Sequence, residues 1–190
     1  MRTLLGIVLL MTAAAGTASA YPEFQRYSKA NSGRSVNCAM CHTHSDGPEG
    51  LKAGQIGGLN EEGLNQLGLA RQAFLPGAGV HNPILNEFGN AILNRLGKNN
   101  IAELKQRPER LAEALSKESD LDLDGITDAQ EYRDGTHPLN SLDGHPWKLF
   151  KNNFAKNWFH IVMIVLATGC GIYGLYHALL WLSAKAGKEK

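Results

Sequence analysis

Residues 36–44 read Val36-Asn37-Cys38-Ala39-Met40-Cys41-His42-Thr43-His44, and this short run carries two of the chain's three cysteines and two of its seven histidines. Three chemistries compete for it. A redox dithiol expects a βαβ setting, and the flanking sequence has no such alternation. A zinc site needs four ligands, and Cys38, Cys41, His42 and His44 could supply them, but so short a run folds poorly around a tetrahedral ion. The third reading is covalent haem. Two thiols separated by two residues reach the two vinyl groups of one porphyrin, and the next residue sets its imidazole under the iron.

The position of the motif in the chain favours haem. The N-terminus reads Arg2, then LLGIVLLMTAAAG, then Ala18-Ser19-Ala20. A basic start, a short apolar core and an A-x-A signature predict an export signal over 1–20, with Tyr21 as the mature N-terminus. The motif therefore lies in an exported chain, where haem is attached. A second apolar run, Phe159 to Leu182 (FHIVMIVLATGCGIYGLYHALLWL), lacks Asp, Glu, Lys and Arg and suits a bilayer core of ~30 Å. Trp158 and Trp181 stand near its ends, as interface aromatics do. The export signal sets the orientation: body in the periplasm, tail 183–190 in the cytoplasm, one pass through the inner membrane. The 19 basic and 18 acidic residues give no global field for nucleic acid, and three cysteines are too few for a disulfide scaffold.

On Cys38, Cys41 and His42 the chain resembles the c-type cytochromes. A second likeness is Pro83-Ile84-Leu85-Asn86-Glu87-Phe88-Gly89, which is similar to a P-x-L-N-x-F-G run that follows the haem motif in some small bacterial members. The likeness covers roughly residues 30–100. It implies a mainly α-helical domain around one covalent haem c, with electron transfer as its work.

Many monohaem members use methionine as the second axial ligand. The chain has four methionines: Met1 and Met11 in the signal, Met40 inside the motif on the proximal side, and Met163 in the apolar C-terminal run. None suits the distal face. Among the histidines, His44 is too close in sequence to reach that face, and His137 and His145 follow in a turn-rich region. His81, in the loop Pro76-Gly77-Ala78-Gly79-Val80-His81-Asn82-Pro83, is the expected distal ligand, with an open iron site as the alternative. A surface loop histidine is the plainer account of the same residue.

A further motif runs from Asp120 to Glu131, DLDLDGITDAQE, and matches D-x-D-x-D-G-x5-E at every position. It resembles an EF-hand loop, and the continuation Asp134-Gly135-Thr136-His137-Pro138 resembles short bacterial and thrombospondin-type calcium repeats. The expected calcium ligands are Asp120, Asp122 and Asp124, the Ile126 carbonyl, Asp128 directly or through water, and bidentate Glu131. A solvated acidic turn is the alternative. With no second loop, calcium here is expected to be structural, pinning the haem domain to the stalk.

The remaining segments follow from periodicity. Tyr21, Phe24 and Tyr27 are spaced as one helical face. A helix is expected within 60–74 with Leu64, Leu67, Leu69 and Phe74 as its apolar side, another over 84–96 ending at Gly97, and another over 108–118 opened by Pro108. Trp147, Phe150, Phe154 and Trp158 with interleaved lysines predict an amphipathic segment at the membrane surface, or a stalk helix packed on the body. In the apolar run Ala167, Gly171, Gly174 and Ala178 form a small-residue stripe suited to a partner helix. His160 and His177, about 25 Å apart along a helix, suit interfacial or helix-contact roles, or a haem or quinone shared with another subunit. Cys170 is expected to be a packing residue.

The expected organisation is thus signal 1–20, haem domain 21–107, helix and calcium loop 108–146, juxtamembrane segment 147–158, transmembrane helix 159–182 and tail 183–190. The expected function is membrane-tethered one-electron transfer, as subunit or docking partner of a respiratory or photosynthetic oxidoreductase, with soluble periplasmic proteins as further partners. No nucleophile or acid–base pair marks an enzyme. A haem-based ligand binder with an open iron site, and a mainly structural subunit of a membrane complex, are the other classes.

Overall fold

The computed structural model describes residues 21–115 and 117–186; the expected signal segment 1–20 and tail 187–190 lie outside the described residues. The described chain is mainly helical, with six α-helices, no β-strand, and one isolated antiparallel bridge between His42 and Leu85. It forms two compact units that part between His145 and Pro146.

In the first unit, α1 spans Pro22–Ser32. Pro22 suits the first turn because that position needs no N–H donor. Gly33 ends the helix in the left-handed conformation (φ 70°), its amide bonded to the Lys29 carbonyl at 2.9 Å. Phe24 and Tyr27 pack against the core from this helix. A 3-10 turn, Cys38–Met40, follows, capped by Asn37, whose side chain accepts from the Ala39 amide at 2.9 Å. α2, Glu61–Arg71, is capped in the same way by Asn60 on Gly63. It buries Leu67 and Ala70, whereas Leu64, Leu69 and Phe74 are exposed, so its apolar face is narrower than the leucine spacing suggests.

α3, Glu87–Leu104, buries Phe88, Ile92, Leu93 and Leu96. The first helical stretch ends at Gly97, as the spacing predicts: the residue adopts φ 70°, ψ 159°, and beyond this kink a second stretch continues to Leu104. The break exposes two amides, and the loop after α2 takes them up: Lys98 N bonds Ala73 O at 2.9 Å and Asn99 N bonds Phe74 O at 3.2 Å. That loop comes so close that a Cβ on Gly97 would lie 2.4 Å from the Leu75 carbonyl carbon.

Where one helix was expected over 108–118, the structure has a 3-10 turn, Pro108–Arg110, and a four-residue α4, Leu111–Ala114. Leu111, Ala112 and Leu115 are all buried, which fixes the turn by packing rather than by length. α5, Asp128–Asp134, packs on α1 and α4. Val36, Met40, Phe88, Ile92, Leu96, Leu111, Leu115 and Tyr132 then form one core. A division near residue 107 therefore falls inside a single packed unit: the calcium-loop segment is built into the body, and residues on both sides of 107 share its core.

The second unit is α6, Pro146–Ala186, unbroken over 41 residues. Trp147, Phe150 and Phe154 stack in turn along it, with ring centroids 5.5 and 6.1 Å apart. The expected segments 147–158 and 159–182 are thus one helix, about 60 Å long at 1.5 Å per residue. It is long and apolar enough to cross a membrane, with a mean hydropathy of 1.7 over its most apolar stretch. His160, His177 and Cys170 are exposed on it, and His177 lies edge-on to Tyr173 at 4.3 Å. A Cβ on Gly171 or Gly174 would meet nothing within 4 Å, so nothing within the chain requires glycine there.

Gly97→Ala combines a backbone conformation that only glycine adopts readily with a backbone overlap. It is expected to destabilise the first unit by about 2–4 kcal/mol, read as a lower urea midpoint with an unchanged slope.

Candidate functional site

The turn Cys38-Ala39-Met40-Cys41-His42 closes on itself through Cys41 N and His42 N, which both donate to the Cys38 carbonyl at 3.2 and 2.9 Å. The later segment 82–90 straps it. Thr43 N bonds Ile84 O at 3.2 Å and Asn86 N bonds Cys41 O at 3.1 Å. The Asn86 side chain does two jobs. Its oxygen caps α3 by accepting from Gly89 N at 2.9 Å, and its amide nitrogen donates to Ala39 O and Met40 O at 2.7 and 3.1 Å. Gly89 is required by this closeness, since a Cβ there would lie 2.2 Å from the Cys41 oxygen. Asn90 holds the strap's own shape, donating to the carbonyls of Asn82, Leu85 and Asn86 and accepting from Asn82 N at 2.7 Å.

The strap also orients His42. Its Nδ1 lies 3.1 Å from the Ile84 carbonyl. A carbonyl only accepts, so Nδ1 carries the proton and Nε2 keeps its lone pair. Burial lowers the His42 pKa, opposed in part by that hydrogen bond, which favours the neutral ring a metal requires. The Cys41 thiol is pushed up to about 12, first by burial and then by Cys38 beside it.

Cys38, Cys41 and His42 line one cavity of about 550 Å³, whose surface is otherwise largely apolar: Ile56, Leu67, Ile84, Leu85, Ile92, Leu93, Ile101 and Leu111 all face it. Two thiols, an imidazole with a free Nε2 and an apolar chamber are what a covalently held porphyrin needs, so the residues present fit a haem. Tyr132 and Tyr21 also line the chamber. The Tyr132 hydroxyl donates to Pro108 O at 2.9 Å, and burial first, then the neighbouring Cys41, raises its pKa.

The other histidines are elsewhere. His81, the expected distal ligand, is exposed and does not line the cavity. Its loop is held outward, because Val80 and Asn82 on either side are tied to Asn94 and Asn90 of α3. His137 braces the motif from outside: Nε2 donates to Ala39 O at 3.0 Å and Nδ1 accepts from Leu139 N at 3.2 Å. His44 Nδ1 accepts from Asp46 N at 3.1 Å, and His145 is exposed.

The acidic loop is a second site. Asp120, Asp122 and Asp124 bring carboxylate oxygens within 4.8 Å of one another. Each uses one oxygen to shape the loop: Asp120 accepts from Gly125 N, Asp122 from Asp124 N, Asp124 from Ile126 N. The other oxygen of each is buried without a partner, as is Glu131 Oε2. Four of the six such atoms among the described residues belong to this one loop, an arrangement of oxygens that could hold a cation. Glu131 stands outside the tight group of three but is electrostatically coupled to it. Burial first and then Asp122 push its pKa up to about 8. Burial likewise raises the pKa values of Asp122 and Asp124. The two oxygens of Asp128 accept from Ser119 Oγ and from Leu121 N, so it closes the ends of the loop and lies outside the tight group of three carboxylates. Ile126 has its side chain buried at 1 % exposure, which anchors the loop.

The asparagines 82, 86 and 90 were not legible as site residues from the sequence. Their only signal was the similarity of 83–89 to a cytochrome run. Comparison with protein-family models, with characterised proteins and with solved structures finds no match to this chain.

Asn86→Asp keeps the helix cap but removes both donors to the motif, and it is expected to cost about 1–3 kcal/mol. Asn86→Ser, which caps but cannot reach, should lose a similar amount in the same denaturation assay. Calcium is expected to raise the melting temperature and a chelator to reverse it, with the response lost in Asp122→Asn/Asp124→Asn. A carboxyl whose folded pKa is raised contributes stability below its ordinary value of 4.5 that is lost as pH rises through about 8. The calcium increment measured by calorimetry should therefore be larger at pH 8 than at pH 5.

Proposed function

We propose that this chain is a membrane-tethered c-type cytochrome that carries single electrons in the periplasm, beside or within a membrane oxidoreductase. One observation carries the reading: both cysteines and His42 face a common apolar chamber, with His42 Nδ1 already held by the Ile84 carbonyl. A haem held there would supply reversible one-electron chemistry at its iron. Cys38 and Cys41 would hold the porphyrin by thioether links and His42 Nε2 would ligate the iron. The Ile84 carbonyl fixes the ring and raises its basicity, as outer hydrogen bonds to ligating histidines do. The leucine and isoleucine walls exclude water, which tunes the potential. The unbroken α6 would hold the carrier at the membrane and offer its small-residue stripe to a partner subunit.

Calcium in the 120–131 loop belongs to the same reading as a structural ion. Its loop feeds directly into α5, which carries Tyr132 to the chamber wall.

A second reading, a haem protein that binds small ligands at an open iron, is favoured by one observation: among the described residues, no histidine or methionine other than His42 and Met40 lines the cavity.

The exported protein is expected to give the pyridine haemochrome spectrum of a thioether-linked haem, one per chain, with no haem retained in Cys38→Ala/Cys41→Ala after denaturing extraction. A haem-free product from a host competent for haem attachment would reject the proposal. Carbon monoxide added to the reduced protein separates the two readings: an unshifted spectrum supports the carrier, a shifted one the ligand binder.

A further inference from the structure

The cavity that holds His42 needs a second iron ligand if the iron is to be closed, and its lining restricts the choice. Among the described residues, the lining side chains with a sulfur, carboxylate, amine or phenol donor besides Cys38, Cys41 and His42 are those of Met40, Glu49, Lys98, Tyr132 and Tyr21. Met40 lies between the two cysteines and is buried in the core at 6 % exposure. Tyr132 has its hydroxyl bonded to Pro108 O and its phenol held protonated. Lys98 points its ammonium at the Arg71 carbonyl, 3.4 Å away, and over the Phe74 ring. Glu49 is a hard carboxylate on an exposed, glycine-flanked loop.

Tyr21 is different in kind. It is the residue before Pro22 at the start of α1, it makes no side-chain cap, and both residues face the chamber. The reading of 18–20 as a cleavage signature makes Tyr21 the first residue of the exported chain. Cleavage turns its backbone nitrogen from an amide, which has no lone pair to give, into a primary amine, which has one.

We propose that the α-amine of Tyr21, freed by removal of residues 1–20, is the second axial ligand of the haem iron. The proposal rests on the cytochrome reading above and deepens it.

Proton chemistry separates this amine from its nearest rival. With reference pKa values near 7.7–8.0 for an α-amine and 10.4 for lysine, roughly a tenth of α-amines are neutral at pH 7 against roughly one in two thousand lysines. The position adds to the difference. The N-terminal end of α1 disfavours a cation, and the Lys105 ammonium lies 5.0 Å from the Tyr21 ring centroid; Glu23 in the first turn offsets part of this. Pro22 contributes rigidity, because its ring fixes φ and so limits where the preceding nitrogen can lie. The consequence is an order of assembly. The precursor can present Cys38, Cys41 and His42, but the iron is closed only after the signal segment has been cut, so a low-spin haem reports a chain that has been both exported and processed.

The test uses the full chain, exported and purified in detergent. A pyridine haemochrome first establishes that haem is attached; its absence would reject the cytochrome reading itself. With haem present, intact-mass analysis should place the N-terminus at Tyr21, and the absorption spectrum should be low-spin without a carbon monoxide shift. Insertion of Gly-Ser between Ala20 and Tyr21 should convert the iron to a high-spin, carbon monoxide-binding form, while His81→Ala leaves it low-spin. A mature chain that starts elsewhere, or an inserted variant with an unchanged low-spin spectrum, would overturn the proposal. So would loss of the low-spin form in Lys98→Ala alone. If the inserted variant fails to accumulate, unmodified protein made with tyrosine labelled in its nitrogen decides the question. Hyperfine coupling of the label to the low-spin iron is expected, and its absence overturns the assignment.

Discussion

The carbonyl groups of Ala39, Met40 and Cys41 are the constraint on which the first unit depends. These three oxygens of the tight turn that carries both cysteines and His42 find their partners outside the turn. Each left unpaired would cost about 1–3 kcal/mol. The chain answers with two later segments. Asn86 reaches Ala39 and Met40 with its side chain and Cys41 with its amide, and His137 reaches Ala39 from the far end of the calcium segment. Those partners lie 40 to 100 residues downstream, so the turn acquires its shape only when the whole unit has folded. The same strap delivers the Ile84 carbonyl to His42, so the bonds that hold the turn also select the tautomer of its imidazole.

Several features of this arrangement were legible in the residues themselves. The Cys-x-x-Cys-His spacing, the acidic loop and the long apolar helix are local patterns, and local patterns survive without knowledge of the fold. The buried stripe Phe88, Ile92, Leu96 belongs to the same class. What escaped was whatever depends on two distant segments meeting. His81 was placed over the chamber because it follows the motif at a plausible chain distance, yet distance along the chain says nothing about which way a loop faces. Here Asn94 and Asn90 turn that loop to solvent. Gly97 was legible as the stop of a helical stretch, but the second constraint on it, the backbone of residues 74–75 passing too close for a Cβ, was not. Asp128 fits a calcium pattern by spacing, and its bonds from Ser119 and the Leu121 amide, which tie the ends of the loop, were not visible in that pattern. The break between 108–110 and α4 likewise follows from burial of Leu111 and Leu115 against the core, which propensity does not encode.

The chamber is apolar on nearly every side, and that narrows its chemistry. A charged or strongly hydrated small molecule would find few polar groups there to replace its water, at a cost of several kcal/mol. The mostly apolar faces of the proposed porphyrin would suit these walls, with His42 Nε2 available to its iron. The neutral, Nδ1-protonated state of His42 serves the same end. An imidazolium in this setting would be an uncompensated buried charge, and burial already drives the ring towards the form that ligates.

Helix α5 connects the two candidate sites in the fewest residues possible. Glu131 turns into the acidic loop and bonds Thr136 Oγ1, while its neighbour Tyr132 turns into the chamber wall, stacks on Tyr27 and bonds Pro108 O. Both side chains are fully buried. A seven-residue helix is too short to be stable on its own, so its position must come from what holds its ends. At the C-terminal end Gly135 packs so tightly on Ser32 that a Cβ would lie 2.3 Å from its hydroxyl, and Asn31 donates to the Arg133 carbonyl. At the N-terminal end the Asp128 amide bonds Ser119 O at 2.9 Å and its carboxylate accepts from Ser119 Oγ and Leu121 N, beside an acidic loop in which Asp120, Asp122 and Asp124 each keep one oxygen buried and unpartnered. Without a cation, repulsion among those carboxylates would act on the end of the helix that positions Tyr132, so the calcium proposed for the loop would bear on the chamber wall as well as on the loop itself.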